Sequence, residues 1–362
     1  MDFAFSEEQE MLRSQARSFL ADKLPPDRIA RLADSDEGWD EKVWREMAEL
    51  GWLGLSAAEE AGGAGMTFLD EAVLFEELGY GLYPGPYFST VALALPALER
   101  APDLLARIVS GEGAATLAWA EPEGVSSLGA DSYAVQARGS GDSRTLHGTK
   151  HLVPDLNSAS VVVVAAAGED GAGLWALDRP DDVELLSTMD PTRPYGRIVL
   201  DGASATMLAG PGDGARLLER IRLRALAALA LEAVGVAQKV LELASDHAKE
   251  RKQFDKAIGT YQAVSHKVAD TYVQTELARS LAYWAAWCVA EEEQASLAAP
   301  AAKAFAADAA VAACESCIQV HGGIGFTWEH VAHRYYKRAQ WIQSFDGYPV
   351  AQRAGVAAQI LG

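Results

Sequence analysis

Gln319-Val320-His321-Gly322-Gly323-Ile324-Gly325-Phe326, continuing as Thr327-Trp328-Glu329-His330 and closing at Trp341-Ile342-Gln343-Ser344-Phe345-Asp346-Gly347, is the stretch around which this chain is organised. Glycines at 322, 323 and 325 follow directly on an Ala-rich run of helical character. There they end the helix and let a backbone approach something flat or anionic. One carboxylate, Asp346, precedes the next glycine. Taken alone, a double glycine after a helix is also what an ordinary C-cap needs.

The 362 residues suffice for roughly two or three domains with an ample core. Asp and Glu number 51 against 31 Lys and Arg, which argues against nucleic acid or an anionic membrane surface as partner. No apolar run is expected to approach the length that spans a bilayer, and Met1-Asp2-Phe3-Ala4-Phe5-Ser6-Glu7-Glu8 has neither the cationic region nor the apolar core of a secretory signal. A cytoplasmic protein is the default expectation. Cys314 and Cys317 form a Cys-x-x-Cys inside a helical pattern with no second ligand pair, so buried thiols are expected and no metal.

The first part of the chain reads as helices. Ser6 with Gln9 makes a capping box, and Met11, Leu12, Ala16, Phe19 and Leu20 follow at helical spacing until Pro25-Pro26 breaks the run. Further helices are expected over Glu41 to Leu50 and Thr67 to Leu78, with Gly62-Gly63-Ala64-Gly65 as connector. From about Ala114 the texture turns to β-branched and alternating segments, such as Tyr133 to Ala137, Val161 to Val164 and Arg197 to Leu200, which predict a small β-domain ending near Gly210. Long Ala/Leu-rich helices then run over Arg216 to Lys249, Tyr261 to Glu291 and Pro300 to Val320, with Pro300 at a first helical position and a final helix over Pro349 to Leu361. Short connections make this an antiparallel bundle, and its wide apolar faces predict packing against other subunits. The expected domains are 1–112, 113–210 and 211–362.

Read with these surroundings, the opening stretch resembles the C-terminal segment of the acyl-CoA dehydrogenases, flavoenzymes that make an α,β double bond in an acyl-CoA. The resemblance implies that fold: an N-terminal α-helical domain, a middle small β-domain and a C-terminal antiparallel four-helix bundle. Gly62-Gly63-Ala64-Gly65-Met66 with Glu71 and Phe75-Glu76-Glu77-Leu78-Gly79 is similar to the family's N-terminal domain, which walls the acyl pocket. In the family a Gln-x-x-Gly-Gly turn holds the ADP half of FAD belonging to a neighbouring subunit; here it is filled by Gln319, Val320, His321, Gly322 and Gly323. Arg251, Phe254 and Gln262 match the family's Arg-x-x-Phe-Gly-x-x-Ile…Gln signature, with Asp255 in place of the Gly. In that signature the Arg pairs with the diphosphate, for which a guanidinium fork is suited by its two parallel charge-assisted bonds.

The departures fall on the flavin ring. The family's Thr-Glu-Pro and Gly-x-Gly-Ser-Asp loop is here Ala120-Glu121-Pro122-Glu123-Gly124-Val125-Ser126-Ser127, which loses the hydroxyl. Its Lys-x-Trp-Ile-Thr-Asn is Lys150-His151-Leu152-Val153-Pro154-Asp155, with Leu for the ring-packing Trp and Pro for the ring-bonding Thr. Proline has neither the hydroxyl nor the backbone donor. Asp346 stands where the family's catalytic base lies and is one methylene shorter than the expected Glu. Two readings of it remain, a base or a turn residue left at the position of one. The alternative position on the first bundle helix holds Ala225, followed by Leu226.

Together these imply a companion subunit of a heteromeric α2β2 acyl-CoA dehydrogenase. It would give Arg251, Phe254, Gln262 and the Gln319 to Gly323 turn to FAD whose ring, substrate and base sit in a related partner chain. This resembles the two-gene enzymes of actinobacterial steroid side-chain degradation, with an electron-transferring flavoprotein as the expected acceptor. Two alternatives stand beside it. One is a self-sufficient homotetrameric dehydrogenase, or nitroalkane-type oxidase, using Asp346. The other is a non-enzymatic scaffolding subunit.

Overall fold

The computed structural model describes residues 5–35, 37–123, 127–129, 132–139, 141–168, 171–210 and 212–362. Gly124, Val125 and Ser126, part of the altered loop after Glu121-Pro122, lie outside the described residues. Helices α1 (Glu7–Lys23), α2 (Pro26–Ala33), α3 (Glu41–Glu49), α4 (Phe68–Tyr80), α5 (Leu95–Leu98) and α6 (Pro102–Val109) come first, and a buried π-helical stretch, Phe88–Ala94, runs into α5. Strands β1 (Ala114–Ala118), β2 (Gln136–Arg138), β3 (Ser143–Pro154), β4 (Ala159–Gly168), β5 (Gly171–Asp178), β6 (Val183–Leu186) and β7 (Tyr195–Ala209) follow. The remainder is α7 (Asp213–Glu250), a short hairpin of β8 (Lys252–Gln253) and β9 (Lys256–Ala257), and then α8 (Gln262–Ala290), α9 (Ala295–His321), α10 (Ala332–Ser344) and α11 (Pro349–Leu361).

These elements form two compact units that do not follow chain order. One joins Ala72–Tyr83 and Leu226–Gly362 to the N-terminal segment ending at Ile29; the other joins Ala30–Glu71 to Pro84–Ala225.

The second unit is built on a closed sheet. β4 pairs β5, β5 pairs β7, β7 pairs β3, β3 pairs β2, and β2 returns to β4 at Gln136 and Ala167; β1 adds in parallel to β4, and β6 pairs β7. Closure explains why Val161-Val162-Val163-Val164 is a continuous apolar run rather than an alternating one. Val162 and Val164 enter the barrel core with Trp175, Ile198 and Leu146, while Val161 and Val163 are buried on the other face.

In the first unit, the capping box at Ser6 forms as expected, Gln9 N–H donating to Ser6 Oγ at 3.2 Å and Ser6 N–H to Gln9 Oε1 at 3.1 Å. Two glycines let α4 and α7 meet backbone to backbone: a Cβ on Gly79 would lie 2.1 Å from Glu232 O, and one on Gly235 would lie 2.0 Å from Glu76 O. α9 packs against α8, α10 and α11.

Two expectations about α9 are corrected. It begins at Ala295, so Pro300 lies inside the helix instead of at its first position. The ring removes the donor that Ser296 C=O would have used, and Gln359 of α11 replaces it, its Nε2 donating to Ser296 O at 3.0 Å. The helix with its 3-10 extension, Ala295–Phe326, is also long and apolar enough by length and composition to cross a membrane, contrary to the expectation that no run approaches that length. Two thirds of its most apolar window is buried within the protein (67%), as a core helix's would be. Cys314 and Cys317 are free thiols buried in this helix; burial pushes Cys317 up to about 12 and Cys314 well above the ordinary range.

Candidate functional site

The β8–β9 ladder pairs Lys252 with Ala257 and Gln253 with Lys256, so Phe254 and Asp255 form its two-residue turn. Both have left-handed backbones, with φ of 52° and 61°. This is the pattern of a type I′ turn, which favours Gly, Asn or Asp. Asp255 suits it, and the glycine of the family signature would suit it better. Phe254 does not suit it, yet its ring is 86% exposed. An exposed aromatic held in strained backbone is shaped by something other than its own packing. Ile258 N–H donates to Arg251 O at 2.8 Å and Tyr261 Oη to Gln253 O at 3.1 Å. The hairpin is thereby tied to the start of α8, where Gln262 is the exposed first residue. Arg251 is exposed, and among the described residues no carboxylate pairs with its guanidinium.

The glycine turn closes α9. Gly322 N–H caps the helix by donating to the Gln319 and Ile318 carbonyls, and Gly322 has φ of 64°. Gly325 is glycine for an internal reason, since a Cβ there would lie 2.7 Å from Ile318 O. Gly323 is different. Its φ is not positive and a Cβ on it would meet nothing within 4 Å, so nothing in this chain requires glycine there. Gln319 is exposed, whereas Val320 turns its side chain inward at 8% exposure.

The two segments are brought together by histidines. His247 on α7, one turn before Arg251, stacks on His321 with ring centroids 4.3 Å apart, and the His330 ring packs at a tilt against His321 at 4.1 Å. Burial holds His247 below the ordinary imidazole range, with His321 and Arg251 pushing the same way and Glu250 opposing. Burial likewise lowers His330, reinforced by His321, His247 and His333. His247 and His330 were absent from the motif-based site. The available signal was the helical spacing of His247 and Arg251, which places them on one face.

Asp346 sits on a separate, firmly held turn. Lys303, fully buried, donates from Nζ to Gln343 O at 2.9 Å, Phe345 O at 2.7 Å and Gly347 O at 2.6 Å, and Gln352 Nε2 donates to Asp346 O at 2.5 Å. Asp346 itself has φ of 48°.

The flavin-ring segments lie in the other compact unit. Lys150 Nζ donates to Glu121 Oε1 at 2.7 Å and Trp119 O at 3.0 Å and lies over the Tyr133 ring. Glu121 also accepts from Ala134 and Val135 N–H at 2.7 and 2.9 Å. Burial lowers Lys150 to about 8, against the pull of Glu121. Burial raises Glu121, but its bonds to Lys150 and the two amides outweigh that and leave it below the usual carboxylate value. Pro154 is buried, its carbonyl accepting from Thr116 Oγ1 at 2.6 Å.

The β3–β7 register shifts between Lys150 and Val153, and in that bulge Leu152 has φ of 49° with its side chain 43% exposed. A leucine pays for this backbone without using its side chain fully. Leu152→Gly is expected to stabilise the protein by roughly 0.5 kcal/mol, the strain relieved exceeding the added unfolded-state entropy. A urea midpoint that falls instead would show that the leucine packs against something that matters.

For FAD, the cofactor the resemblance implies, the two halves test differently. The ADP half fits: an exposed guanidinium, an exposed strained aromatic and a glycine that no contact within the chain requires are present in one unit. The flavin half does not, since Ala120, Leu152 and Pro154 offer no hydroxyl or stacking ring.

Comparison with known proteins bears on the family and the fold. Residues 6–101 match the family model described as Acyl-CoA dehydrogenase, N-terminal domain, and residues 214–361 the one described as Acyl-CoA dehydrogenase, C-terminal domain. Acyl-CoA dehydrogenase IpdE2 of Mycobacterium tuberculosis is 33% identical over 341 residues, covering 92% of this chain and 91% of that one. Among solved structures, a chain of a variant of the Tcur3481-Tcur3483 steroid ACAD is 32% identical with a TM-score of 0.88, over 98% of each chain. A chain of the ChsE4-ChsE5 complex from Mycobacterium tuberculosis is 27% identical with a TM-score of 0.89, over 100% of this chain and 99% of that one. The fold and the arrangement of its segments, with these matches along nearly the whole length, make the chain a member of the acyl-CoA dehydrogenase family.

Proposed function

We propose that this chain is the companion subunit of a heteromeric acyl-CoA dehydrogenase acting on a steroid side-chain acyl-CoA, and that it supplies the ADP-binding half of an FAD site completed by a related chain. The observation that carries this reading is Gly323, a glycine that no contact within the chain requires, at a turn stacked through His321 and His247 onto the end of α7 that leads to Arg251. Bound FAD supplies the acceptor for the hydride leaving the acyl β-carbon. The residues of this chain bind and orient. Arg251 donates its fork to the diphosphate, Phe254 offers a ring face to the adenosine end, and Gln262 and Gln319 add polar contacts beside the open backbone of Gly322 and Gly323. The barrel's altered segments leave the ring, the thioester and the base to the partner. Two-chain names among the similar structures support this arrangement. So does the open apolar groove lined by Leu277, Leu281, Trp284 and Phe305, which suits association with another chain.

A second reading has one observation in its favour: Lys303 fixes the turn that carries Asp346, as a working base would need. Visible absorbance with FAD counted per chain separates the two. The chain purified alone is expected to be colourless, and co-purified with a related chain encoded beside it to carry one FAD per pair. Arg251→Gln in that complex is expected to lower FAD content at least tenfold. One FAD per chain in the protein alone would overturn the companion reading and point to Asp346.

A further inference from the structure

His247, His321 and His330 form a contiguous set of three rings, His247 stacked on His321 and His330 tilted against it, between the helix that leads to Arg251 and the turn at Gly322. One ring nitrogen of His321 and one of His330 are already committed. Nδ1 of His321 donates to Cys317 O at 2.8 Å, and Nδ1 of His330 accepts from Ala332 N–H at 3.2 Å. Among the described residues no hydrogen bond reaches Nε2 of His321 or either nitrogen of His247. The charged and titratable groups that face these rings come from the neighbouring segments: Glu250 at the end of α7, Arg251 just after it, Cys317 from α9, and His333 from α10. Apart from Glu250, none of these favours a cation, and no cluster of described residues is arranged to hold a metal ion. Three imidazoles at van der Waals separation beside a guanidinium cannot all carry charge unless an anion joins them.

We propose that this imidazole stack is part of the diphosphate site, and that it takes up a proton when the diphosphate binds. The inference rests on the reading of Arg251 and the Gly322-Gly323 turn as the ADP-half site. Its direction follows from the two states. Without ligand, burial and neighbouring positive charge hold His247 and His330 below the ordinary value of about 6.5. With an adjacent diphosphate the charged imidazole is favoured and its titration moves up. The bound state therefore holds more protons than the free state between these two values. Affinity for the ADP half rises as pH falls through that window, by up to about tenfold per pH unit for one proton, and is independent of pH above it. This gives the three histidines a part in holding the cofactor and makes its retention sensitive to acidity.

The test is a histidine-ring NMR titration of the full chain from about pH 5 to about pH 9, without and with excess FAD, whose diphosphate diester does not itself titrate there. Weak binding is visible in such spectra even if the partner chain is absent. The expected result is that FAD shifts the amides of Gly322 and Gly323 and raises the midpoints of His247 or His330 by about one pH unit. If FAD shifts those amides while every histidine midpoint stays in place, the proton uptake is overturned and the ADP-half site stands. If neither amides nor histidines respond, the ADP-half reading fails and the inference with it.

Discussion

Arg338→Leu is expected to cost about 3 to 5 kcal/mol, because it strands a carboxylate in the core of the first unit. Arg338 is fully buried, its Nη1 lies 2.5 Å from Glu232 Oε1, and its Nη2 donates to Tyr83 O at 3.1 Å. Glu232 is 1% exposed. Two ions so placed are held at a desolvation cost that their attraction roughly offsets, so the pair as a whole stabilises little. Losing one partner is another matter, since the remaining carboxylate stays buried without the guanidinium that offsets its charge. The double variant Arg338→Leu with Glu232→Leu is therefore expected to recover most of the loss. Urea unfolding of the single and double variants measures this. A single variant no less stable than the double would mean that water reaches Glu232 and that the pair is not a buried one.

Gly235→Ala is expected to destabilise by roughly 2 kcal/mol or more, against the usual direction of such a change. In a helix interior, alanine is favoured over glycine by about 1 kcal/mol. At Gly235 the added methyl would lie 2.0 Å from Glu76 O and 2.5 Å from Tyr80 N, both backbone atoms of α4 that cannot rotate away. Overpacking against backbone forces the helices apart, which costs more than a crowded side chain does. Gly355 on α11 supplies the control, because a Cβ there meets nothing within 4 Å. Gly355→Ala is expected to stabilise by up to about 1 kcal/mol. Thermal unfolding of both variants decides the matter: equal effects would show that α4 and α7 are not in backbone contact.

Much of this architecture was legible because it is written in local signals. Ser6 with Gln9 announced α1, the Ala/Leu periodicity announced α7 to α9, and the valine run at 161–164 announced a strand of the β-domain. What stayed hidden depends on partners distant in sequence. Pro300 looked like a helix start because a proline normally cannot be accommodated further in. The compensating donor, Gln359, is visible only when α11 packs on α9. The apolar length of α9 was underestimated because its helix starts before Pro300 and continues into Phe326. At the candidate site, Arg251, Phe254, Gln262 and the Gln319 to Gly323 turn are legible as motifs of the family. The histidine stack was not, since three rings from three separate segments carry no shared spacing. The special standing of Gly323 was equally out of reach, because the sequence alone does not distinguish a glycine needed by its own chain from one kept for something else.

The division into two units that ignore chain order also bears on how the protein is made. The barrel-containing unit is complete in sequence at Ala225, whereas α1 and the segment from Ala72 to Tyr83 belong with helices that come later. During synthesis from the N-terminus, Glu76 and Glu77 can meet Arg13 and Arg17 early, but the Arg279 that joins Glu76, the Tyr283 whose hydroxyl donates to it, and the Gly235 surface that receives α4 all emerge afterwards. The nascent chain thus holds a finished β-domain while two amphipathic segments wait with their apolar and ionic faces unmatched, the circumstance in which chaperones and premature self-association compete. For a polypeptide of this design, the helical unit closes only once α7 to α9 have been delivered.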